Sequence, residues 1–346
     1  MQIDVPELGC IVHSCLMSLT NGGTIVKSRL RFLALAVLLI SSASGIAQSW
    51  PNKPVRLIVP NAPGSSPDIV ARLIAERLST TLGQSFIVDL RAGGQGIPAA
   101  EMVARAAPDG YTLLQSGQNL LASNLYLMKS IPYDPSRDFT PIAMVVESAP
   151  FVLAVNPATG ARTMPDLAAL ARSQPGKLSY AASASLGPIL GQWLMKVAGI
   201  NMVLVPYKDT MQSAQDTITN LTQMVIIAQP SVDALVRAGK LRIIAVSSGR
   251  RFPGLDDVPS LSEHYPGFQL AGWFVLSGPS KLPPEIVQRL NREVDAFIKE
   301  PATQKRMTSF GFIASGALSP AALDEFLRTE RDKWRRIVQD VGLKPE

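Results

Sequence analysis

Short runs of β-branched and other apolar residues alternate along this chain with segments of helical periodicity. The run Val55 to Val59 is typical of a buried strand, and Asp68 to Leu82 repeats its apolar residues at helical spacing. The same alternation continues to Gln115 and resumes at Phe151. Since connections between parallel strands are right-handed and usually helical, the pattern predicts an α/β chain of βαβ units around mostly parallel sheets.

The alternation falls into two sets, which predicts two α/β lobes with a ligand cleft between them. With 346 residues, the chain is long enough to give each lobe its own core. We assign residues 48–150 plus 272–346 to lobe 1 and residues 151–271 to lobe 2. Ligands in such folds lie beyond the carboxyl ends of strands, where a strand gives way to a helix. The predicted strands are Val55–Val59, Phe86–Asp89, Tyr111–Gln115, Phe151–Val155, Leu178–Ala181, Val203–Val205, Met224–Ile227, Arg242–Ser247 and Gly272–Leu276.

The start of the chain has the order of a secretory signal. Basic residues between Lys27 and Arg31 precede the apolar run Phe32 to Ile40, and the small-residue stretch Ser41 to Ala47 follows. The apolar run is too short to cross a bilayer, so a membrane anchor is disfavoured. We predict a signal peptide over residues 1–47, cleaved near Ala47. Residues 1–16 fit no signal pattern, which leaves open a start at Met17.

The residues left after cleavage exclude many classes of enzyme. Both cysteines, Cys10 and Cys15, lie in the predicted signal peptide, and only His264 of the two histidines remains. Thiolate catalysis and Cys-based metal sites need cysteines that this part of the chain lacks, and a single histidine makes most types of Ser-His catalysis and of zinc site impossible. It also contains no G-x-S-x-G elbow. We therefore predict a protein that is not an enzyme, with no catalytic residue, no metal site and no cofactor.

The basic balance of the chain does not indicate a nucleic-acid partner. The formal net charge is +6, but the lysines and arginines are scattered, and they form no run interleaved with aromatic residues. Such a distribution is typical of a solvated surface. We expect no nucleic acid among the partners.

The loop after the first strand is the strongest candidate for a ligand-binding segment. Ser66 is predicted as the N-cap of the following helix and Pro67 as its first residue. Free amides at a helix start bind anions, and the loop contains no Lys or Arg. An ordinary capped βα turn is the alternative. The candidate residues are Asn61, Ala62, Pro63, Gly64, Ser65, Ser66, Pro67 and Asp68.

Three further places could contribute to the cleft. In lobe 2, Ser183, Ala184 and Ser185 follow a strand and precede a helix that is predicted to begin near Pro188. The amide side chains of Gln118 and Asn119 follow the third strand, with a polar turn as the alternative. Trp273 begins a strand and is a candidate to line the cleft, with a place in the core as the alternative. The glycine-rich segment 91–96 matches no phosphate-binding fingerprint and is interpreted as a packing turn.

Several short motifs, taken together in their order and spacing, are specific. They are Trp50-Pro51-Asn52-Lys53-Pro54-Val55-Arg56, Ala62-Pro63-Gly64, Ala107-Pro108-Asp109-Gly110-Tyr111-Thr112-Leu113-Leu114, Ile131-Pro132-Tyr133-Asp134-Pro135, Pro175-Gly176-Lys177-Leu178, Val205-Pro206-Tyr207-Lys208 and Ala238-Gly239-Lys240-Leu241-Arg242. In these motifs the sequence resembles the Bug-type extracytoplasmic receptors of tripartite tricarboxylate transporters. The resemblance covers nearly the whole chain from Trp50 to Glu346.

The resemblance implies a type II periplasmic-binding-protein fold whose lobes close on a small organic carboxylate in the periplasm. It also implies docking to membrane permease subunits, and we expect the receptor to be a monomer. A periplasmic sensor that feeds a signalling receptor is the alternative function. Hinges are expected near Pro150 and Ala271. Where the family pattern has polar residues and glycines, this chain has Leu186, Pro188 and Ile189, which predicts a monocarboxylate with an apolar or aromatic body as the ligand.

Overall fold

The computed structural model describes residues 50–183 and 186–345. The predicted signal peptide and the two loop residues Ala184 and Ser185 therefore lie outside the described residues. The strands are β1 (Val55–Val59), β2 (Phe86–Leu90), β3 (Thr112–Gly117), β4 (Phe139–Ala149), β5 (Phe151–Val155), β6 (Ser179–Ser183), β7 (Val203–Tyr207), β8 (Met224–Ala228), β9 (Arg242–Val246) and β10 (Gly272–Pro279).

The helices follow most of these strands directly. They are α1 (Ser66–Leu82), α2 (Ile97–Ala104), α3 (Asn124–Leu127), α4 (Met164–Ser173), α5 (Leu186–Ala198), α6 (Thr210–Ile218), α7 (Asp233–Arg237), α8 (Leu261–His264), α9 (Pro284–Ile298), α10 (Pro301–Ser309) and α11 (Pro320–Val341). A π-helical turn, Asn119–Ser123, joins β3 to α3, and single 3-10 turns occur at Gly94–Gly96, Pro157–Thr159 and Gln229–Ser231.

The described strands form two five-stranded mixed sheets. The first sheet has the order β2-β1-β3-β10-β4, and the second has the order β7-β6-β8-β5-β9. In the first sheet, β1 pairs parallel with β2 and β3, whereas β10 pairs antiparallel with β3 and β4. In the second sheet, β6 pairs parallel with β7 and β8, whereas β5 pairs antiparallel with β8 and β9. In each sheet four strands run in one direction, as the expectation of mostly parallel sheets required, and one strand, β10 or β5, runs against its neighbours. The reversed direction of these two strands was not predicted.

Strand β4 was not predicted, and its composition explains why. It is an almost continuous apolar run that contains Pro141, and period-two alternation is absent from it. Proline is excluded from central strands because it cannot donate a backbone hydrogen bond. β4 tolerates Pro141 because it lies at the edge of its sheet. Residues 313–317 cover that edge, since the amides of Met144 and Glu147 donate to the carbonyls of Ala317 and Ile313.

The chain passes between the two sheets at two points. Only Pro150 separates β4 of the first sheet from β5 of the second, and Gly272 opens β10 as the chain returns from residues 247–271. The first sheet is thus completed by residues far along the chain, after the second sheet has been formed. This arrangement places the carboxyl ends of β1 and β3 opposite the start of α5.

Side chains of both sheets share one extended hydrophobic core. Trp334 on α11 is a buried tryptophan of this core, 1% exposed, and the same cluster contains Leu190 of α5 and Ile58 of β1. Helices α5 and α11 also touch directly, because the Lys196 ammonium donates to the carbonyl of Asp340. Within residues 50–183 and 186–345, no helix is both long and apolar enough to span a membrane.

Candidate functional site

Two cavities lie between the sheets, at the carboxyl ends of β1 and β3. The first, which we call the amide cavity, has a volume of about 450 Å³ and the second, the phenyl cavity, about 420 Å³. Gln118 and Leu186 line both cavities. The amide cavity is named for its amide side chains, which are those of Asn61, Gln95, Asn119 and Asn124. The phenyl cavity is named for its aromatic rings, which are those of Phe151, Phe274, Phe310 and Phe312. Together the two cavities form the candidate site.

The loop between β1 and α1 contributes to both cavities. Asn61 lines the amide cavity, and Ser66 lines the phenyl cavity. Ala62, Pro63 and Gly64 are exposed and line neither. Of the predicted loop residues, some therefore line a cavity, and others only support the conformation of the loop.

The buried carboxylate of Asp68 holds this loop in shape. The side chain is 3% exposed, its Oδ2 accepts from the Gly64 amide at 2.8 Å, and its Oδ1 pairs with the Arg72 Nε at 2.8 Å. Gly64 has a φ of +76°, a conformation that side chains disfavour. A Cβ built on Gly64 meets nothing within 4 Å, so the constraint there comes from the backbone and not from a neighbour. Asp68 and Gly64 consequently support the site from behind.

The helix start differs by one residue from the prediction. Ser65, not Ser66, is the N-cap, with an extended φ of −71° and ψ of 160°, and Ser66 and Pro67 are the first helical residues. The Ser65 hydroxyl donates to the carbonyl of Ala62 at 2.7 Å, which closes the turn one residue earlier. No side chain of the described residues caps the first turn of α1. The amides of that turn lie beside the phenyl cavity, where Ser66 is a lining residue.

A glutamine in β3 fixes the position of this helix start and was not singled out in the sequence. Gln115 is fully buried, and its Nε2 donates to the carbonyl of Pro67 at 2.7 Å. The sequence signal that could have identified Gln115 is a large polar residue within the strand Thr112–Gly117, which is buried almost throughout. Gln118, three residues further along the chain, lines both cavities.

Segment 93–96, interpreted above as a packing turn, also lines the amide cavity. Gln95 takes a φ of 54° although it is not a glycine, and both Gln95 and Gly96 are lining residues. The Nδ2 of Asn119 donates to the Gln95 carbonyl at 3.4 Å. A Cβ on Gly96 would lie 2.8 Å from the Cβ of Pro60, so only glycine lets the segment approach β1 this closely. The segment both packs against β1 and faces the cavity.

Lobe 2 contributes an apolar wall through α5. The described part of this helix, Leu186–Ala198, includes two residues before the predicted start near Pro188. Leu186 lines both cavities and Ile189 lines the amide cavity, whereas Leu190 is fully buried in the core. Ser183 is the last residue of β6, while Ala184 and Ser185 lie outside the described residues.

Trp273 does not line the site. Its side chain is 2% exposed, its Nε1 donates to the Glu330 Oε2 at 2.9 Å, and its ring meets Phe326 edge-on at 5.4 Å. Successive side chains of a strand point to opposite faces of its sheet. Trp273 therefore packs towards α11, whereas its neighbour Phe274 lines the phenyl cavity. Trp273 therefore belongs to the hydrophobic core and not to the candidate site.

The site contains no ionisable side chain. Neither cavity is lined by Asp, Glu, His, Lys, Arg, Cys or Tyr within the part of the chain that the structure describes. The nearby phenols stay protonated, since burial raises the pKa of Tyr180 to about 12 and also raises the pKa of Tyr133. Over the same residues there is no group of three or more potential metal ligands. Such a site can bind through backbone and amide dipoles, but it has no group for proton transfer.

The chain is similar to known proteins in both sequence and fold. The sequence profile of the tripartite tricarboxylate transporter family receptor matches residues 70–343. Protein BugT of Bordetella pertussis is 32% identical over 327 residues, which cover 91% of this chain and 98% of that protein. The structure of R. palustris Rpa4515 with adipate has a TM-score of 0.72 and 32% identity, covering 86% of this chain and 100% of that one. MatC (Rpa3494) from Rhodopseudomonas palustris with bound malate has a TM-score of 0.66 and 27% identity, covering 84% and 100%.

The core role of Trp273 predicts a loss of stability in the variant Trp273→Phe. Phenylalanine lacks the indole N–H that donates to the Glu330 Oε2. The variant therefore leaves a buried carboxylate oxygen without its donor, which should lower the free energy of unfolding by about 1–3 kcal/mol. Chemical denaturation of Trp273→Phe, Glu330→Gln and the double variant should show a coupling of at least about 0.5 kcal/mol. Strictly additive effects, or an unchanged free energy of unfolding in Trp273→Phe, would contradict the core role.

Proposed function

Because the chain belongs to the tripartite tricarboxylate transporter receptor family as a Bug-type member, we propose that its cleft captures a small organic carboxylate for a tripartite transporter. Members of this family are periplasmic solute-binding receptors and not enzymes. The observation that carries the proposal is a cleft between two sheets whose lining, among the residues that the structure describes, offers many dipoles and no ionisable side chain. Relatives bound to adipate and to malate support carboxylates as the class of ligand.

The first turn of α1 is the proposed carboxylate site. Its first residue, Ser66, lines the phenyl cavity, and no side chain of the described residues caps it, so its free amides would be available to a ligand in the cleft. A helix N-terminus carries a partial positive charge that favours an anion. The negative charge of Asp68 in the same turn is already compensated by Arg72 at 2.8 Å, so it does not oppose the ligand fully. The amide side chain of Gln118, which lines both cavities, would supply a further hydrogen bond to the carboxylate.

The body of the ligand is proposed to be apolar or aromatic. Four phenylalanines and Leu186 line the phenyl cavity. A second carboxylate placed there would lose its hydration without gaining a charged partner, and that loss is costly. A monocarboxylate would keep its single charge at α1 and bury its body against the phenyl rings. The amide cavity offers hydrogen bonds to any uncharged polar group at the far end.

The partner of the loaded receptor is proposed to be a membrane permease. The family to which the chain belongs supports this partner, and the signal-like first 47 residues support export and cleavage near Ala47. A periplasmic sensor with the same cleft would differ only in the protein that it contacts. Growth of a deletion strain on the captured acid would distinguish them, because only loss of a transport receptor abolishes uptake.

We further propose that residues 48–150 plus 272–346 and residues 151–271 act as two lobes that rotate on the ligand. The passage through Pro150 and the return before Gly272 are the two covalent connections between the sheets. Rotation about a few residues at such connections would open the cleft to solvent. Leu186 and Ile189 on one side and Asn61 and Ser66 on the other would then separate.

A ligand panel tests the proposed class of ligand. Phenylacetate should raise the melting temperature more than adipate, and adipate more than citrate, because each added carboxylate must be buried beside apolar side chains. Phenylacetamide, which has the same body without the charge, should give little shift. Binding to the folded state at one hundred times Kd stabilises by about 2.7 kcal/mol, which thermal unfolding resolves readily. No shift from any acid contradicts carboxylate capture, whereas the largest shift from citrate contradicts only the apolar body.

Replacing one amide tests the position of the carboxylate. Ser66→Pro removes the N–H of the first helical residue, and proline is well tolerated at that place in a helix. The extended conformation of Ser65 also suits a residue before proline. Loss of one hydrogen bond to a charged group should weaken binding of the best acid from the panel about tenfold to a hundredfold. Ser66→Ala keeps the amide and should bind normally; equal affinities of the two variants in calorimetry would place the carboxylate elsewhere.

Closure is tested in solution by small-angle scattering. The radius of gyration should be smaller with a saturating amount of the best acid than without it, because the lobes rotate together over the ligand. Ser66→Pro at the same ligand concentration should stay at the larger radius. Identical profiles for the loaded and the free protein would contradict rotation of the lobes.

A further inference from the structure

A third cavity, larger than either cleft cavity, lies on the other side of the connection between the sheets. We call it the hinge cavity; its volume is about 800 Å³, within the range of small-molecule sites. It shares no lining residue with the amide cavity or the phenyl cavity. Ser148 lines the hinge cavity, whereas Ala149 and Pro150 line the phenyl cavity. The crossing strand therefore separates the two spaces.

Both connections between the sheets contribute to the hinge cavity. Glu147 and Ser148 come from the end of β4, whereas Arg250 and Gln269 come from the return segment between β9 and β10. Helix α9 and residues 313–319 complete the wall. A molecule bound here would touch each of the segments about which the lobes are proposed to rotate.

The charged side chains of the wall balance one another. Arg250 Nη2 lies 3.2 Å from Glu147 Oε1 and 3.2 Å from the Ser315 hydroxyl, and Lys299 pairs with Asp295 at 2.7 Å. Two cations and two carboxylates thus line one cavity. The Nε and Nη1 donors of Arg250 make no hydrogen bond to any of the described residues, so they remain available to an oxyanion.

A buried hydroxyl in the same wall lacks a partner. Ser148 is 6% exposed, and its Oγ makes no hydrogen bond within residues 50–183 and 186–345. Its backbone, by contrast, is fully used, because the amide and the carbonyl both pair with Ile313. A buried polar group without a partner is uncommon in a folded protein and is often satisfied by a bound molecule. Met144, Leu318 and Phe326 add an apolar side to this wall.

We propose that the hinge cavity binds a small zwitterion that carries both an ammonium and a carboxylate, such as a free amino acid with an apolar side chain. Its carboxylate pairs with the free donors of Arg250, and its ammonium pairs with Glu147. A ligand with net charge would upset the balance of the wall, whereas a zwitterion preserves it. This site is separate from the carboxylate site in the cleft and does not depend on it.

The test uses three matched probes with one side chain. L-leucine carries both charges, N-acetyl-L-leucine carries only the carboxylate, and L-leucinamide carries only the ammonium. Calorimetry on the purified full chain should show binding of L-leucine and at least tenfold weaker binding of the other two. Arg250→Gln should weaken L-leucine binding at least tenfold, and Glu147→Gln should do the same. Both side chains are largely or partly exposed, so the variants should fold normally.

Two controls separate the hinge cavity from the cleft. Ser66→Pro should bind L-leucine with unchanged affinity, because it changes only the cleft, and Glu147→Gln tests the hinge cavity independently of Arg250→Gln. The proposal is overturned if none of the three probes binds at 10 mM, or if N-acetyl-L-leucine or L-leucinamide binds as well as L-leucine. Loss of L-leucine binding in Ser66→Pro would equally overturn it, because the amino acid would then occupy the cleft.

Discussion

The insertion of β10 between β3 and β4 is the constraint on which the rest of the structure depends. Residues 274–277 pair with β3, and residues 272–279 pair with β4, so the first sheet is incomplete until the chain has returned from the second. Since β10 runs antiparallel to both neighbours, its start lies where β3 and β4 end. The connections between the sheets are thereby gathered at one edge, and the cleft opens beside them.

The charged side chains nearest to the proposed carboxylate site are paired with each other and do not line the described part of the cleft. Asp68 and Arg72 are the charged groups closest in sequence to the proposed carboxylate site, and they are paired with each other at 2.8 Å. Gln115 anchors the same helix turn with an uncharged amide. What remains facing the cavities is a set of amides, hydroxyls and hydrophobic groups, so specificity rests on shape and hydrogen bonds.

Local sequence patterns predicted the strands that are short β-branched runs. The bounds of β1 and β5 agree with the structure, because each is a compact apolar run that is buried almost throughout. The edge strand β4 was missed because Pro141 and a continuous apolar run conceal it. Antiparallel pairing of β5 and β10 depends on contacts distant in the chain, which local pattern does not encode.

The same distinction applies to the candidate site. Asn61, Ser66, Gln118 and Asn119 could be placed near a cleft because they follow predicted strands, and the structure brings them to the two cavities. The orientation of Trp273 could not be predicted, since a residue at the start of a strand can point to either face. Gln95 was overlooked because its role depends on a left-handed backbone conformation that the sequence shows only as neighbouring glycines.

If the cleft binds its ligand as proposed, without charged side chains, its affinity should depend little on the salt concentration of the medium. Attraction between exposed charges weakens as dissolved salt rises, because mobile ions screen it over about 8–10 Å. Short hydrogen bonds from backbone amides inside a closed cleft leave no room for such ions. Capture through Ser66 and its neighbours would therefore change little with ionic strength, which suits a protein exposed to the varying medium outside the cytoplasm.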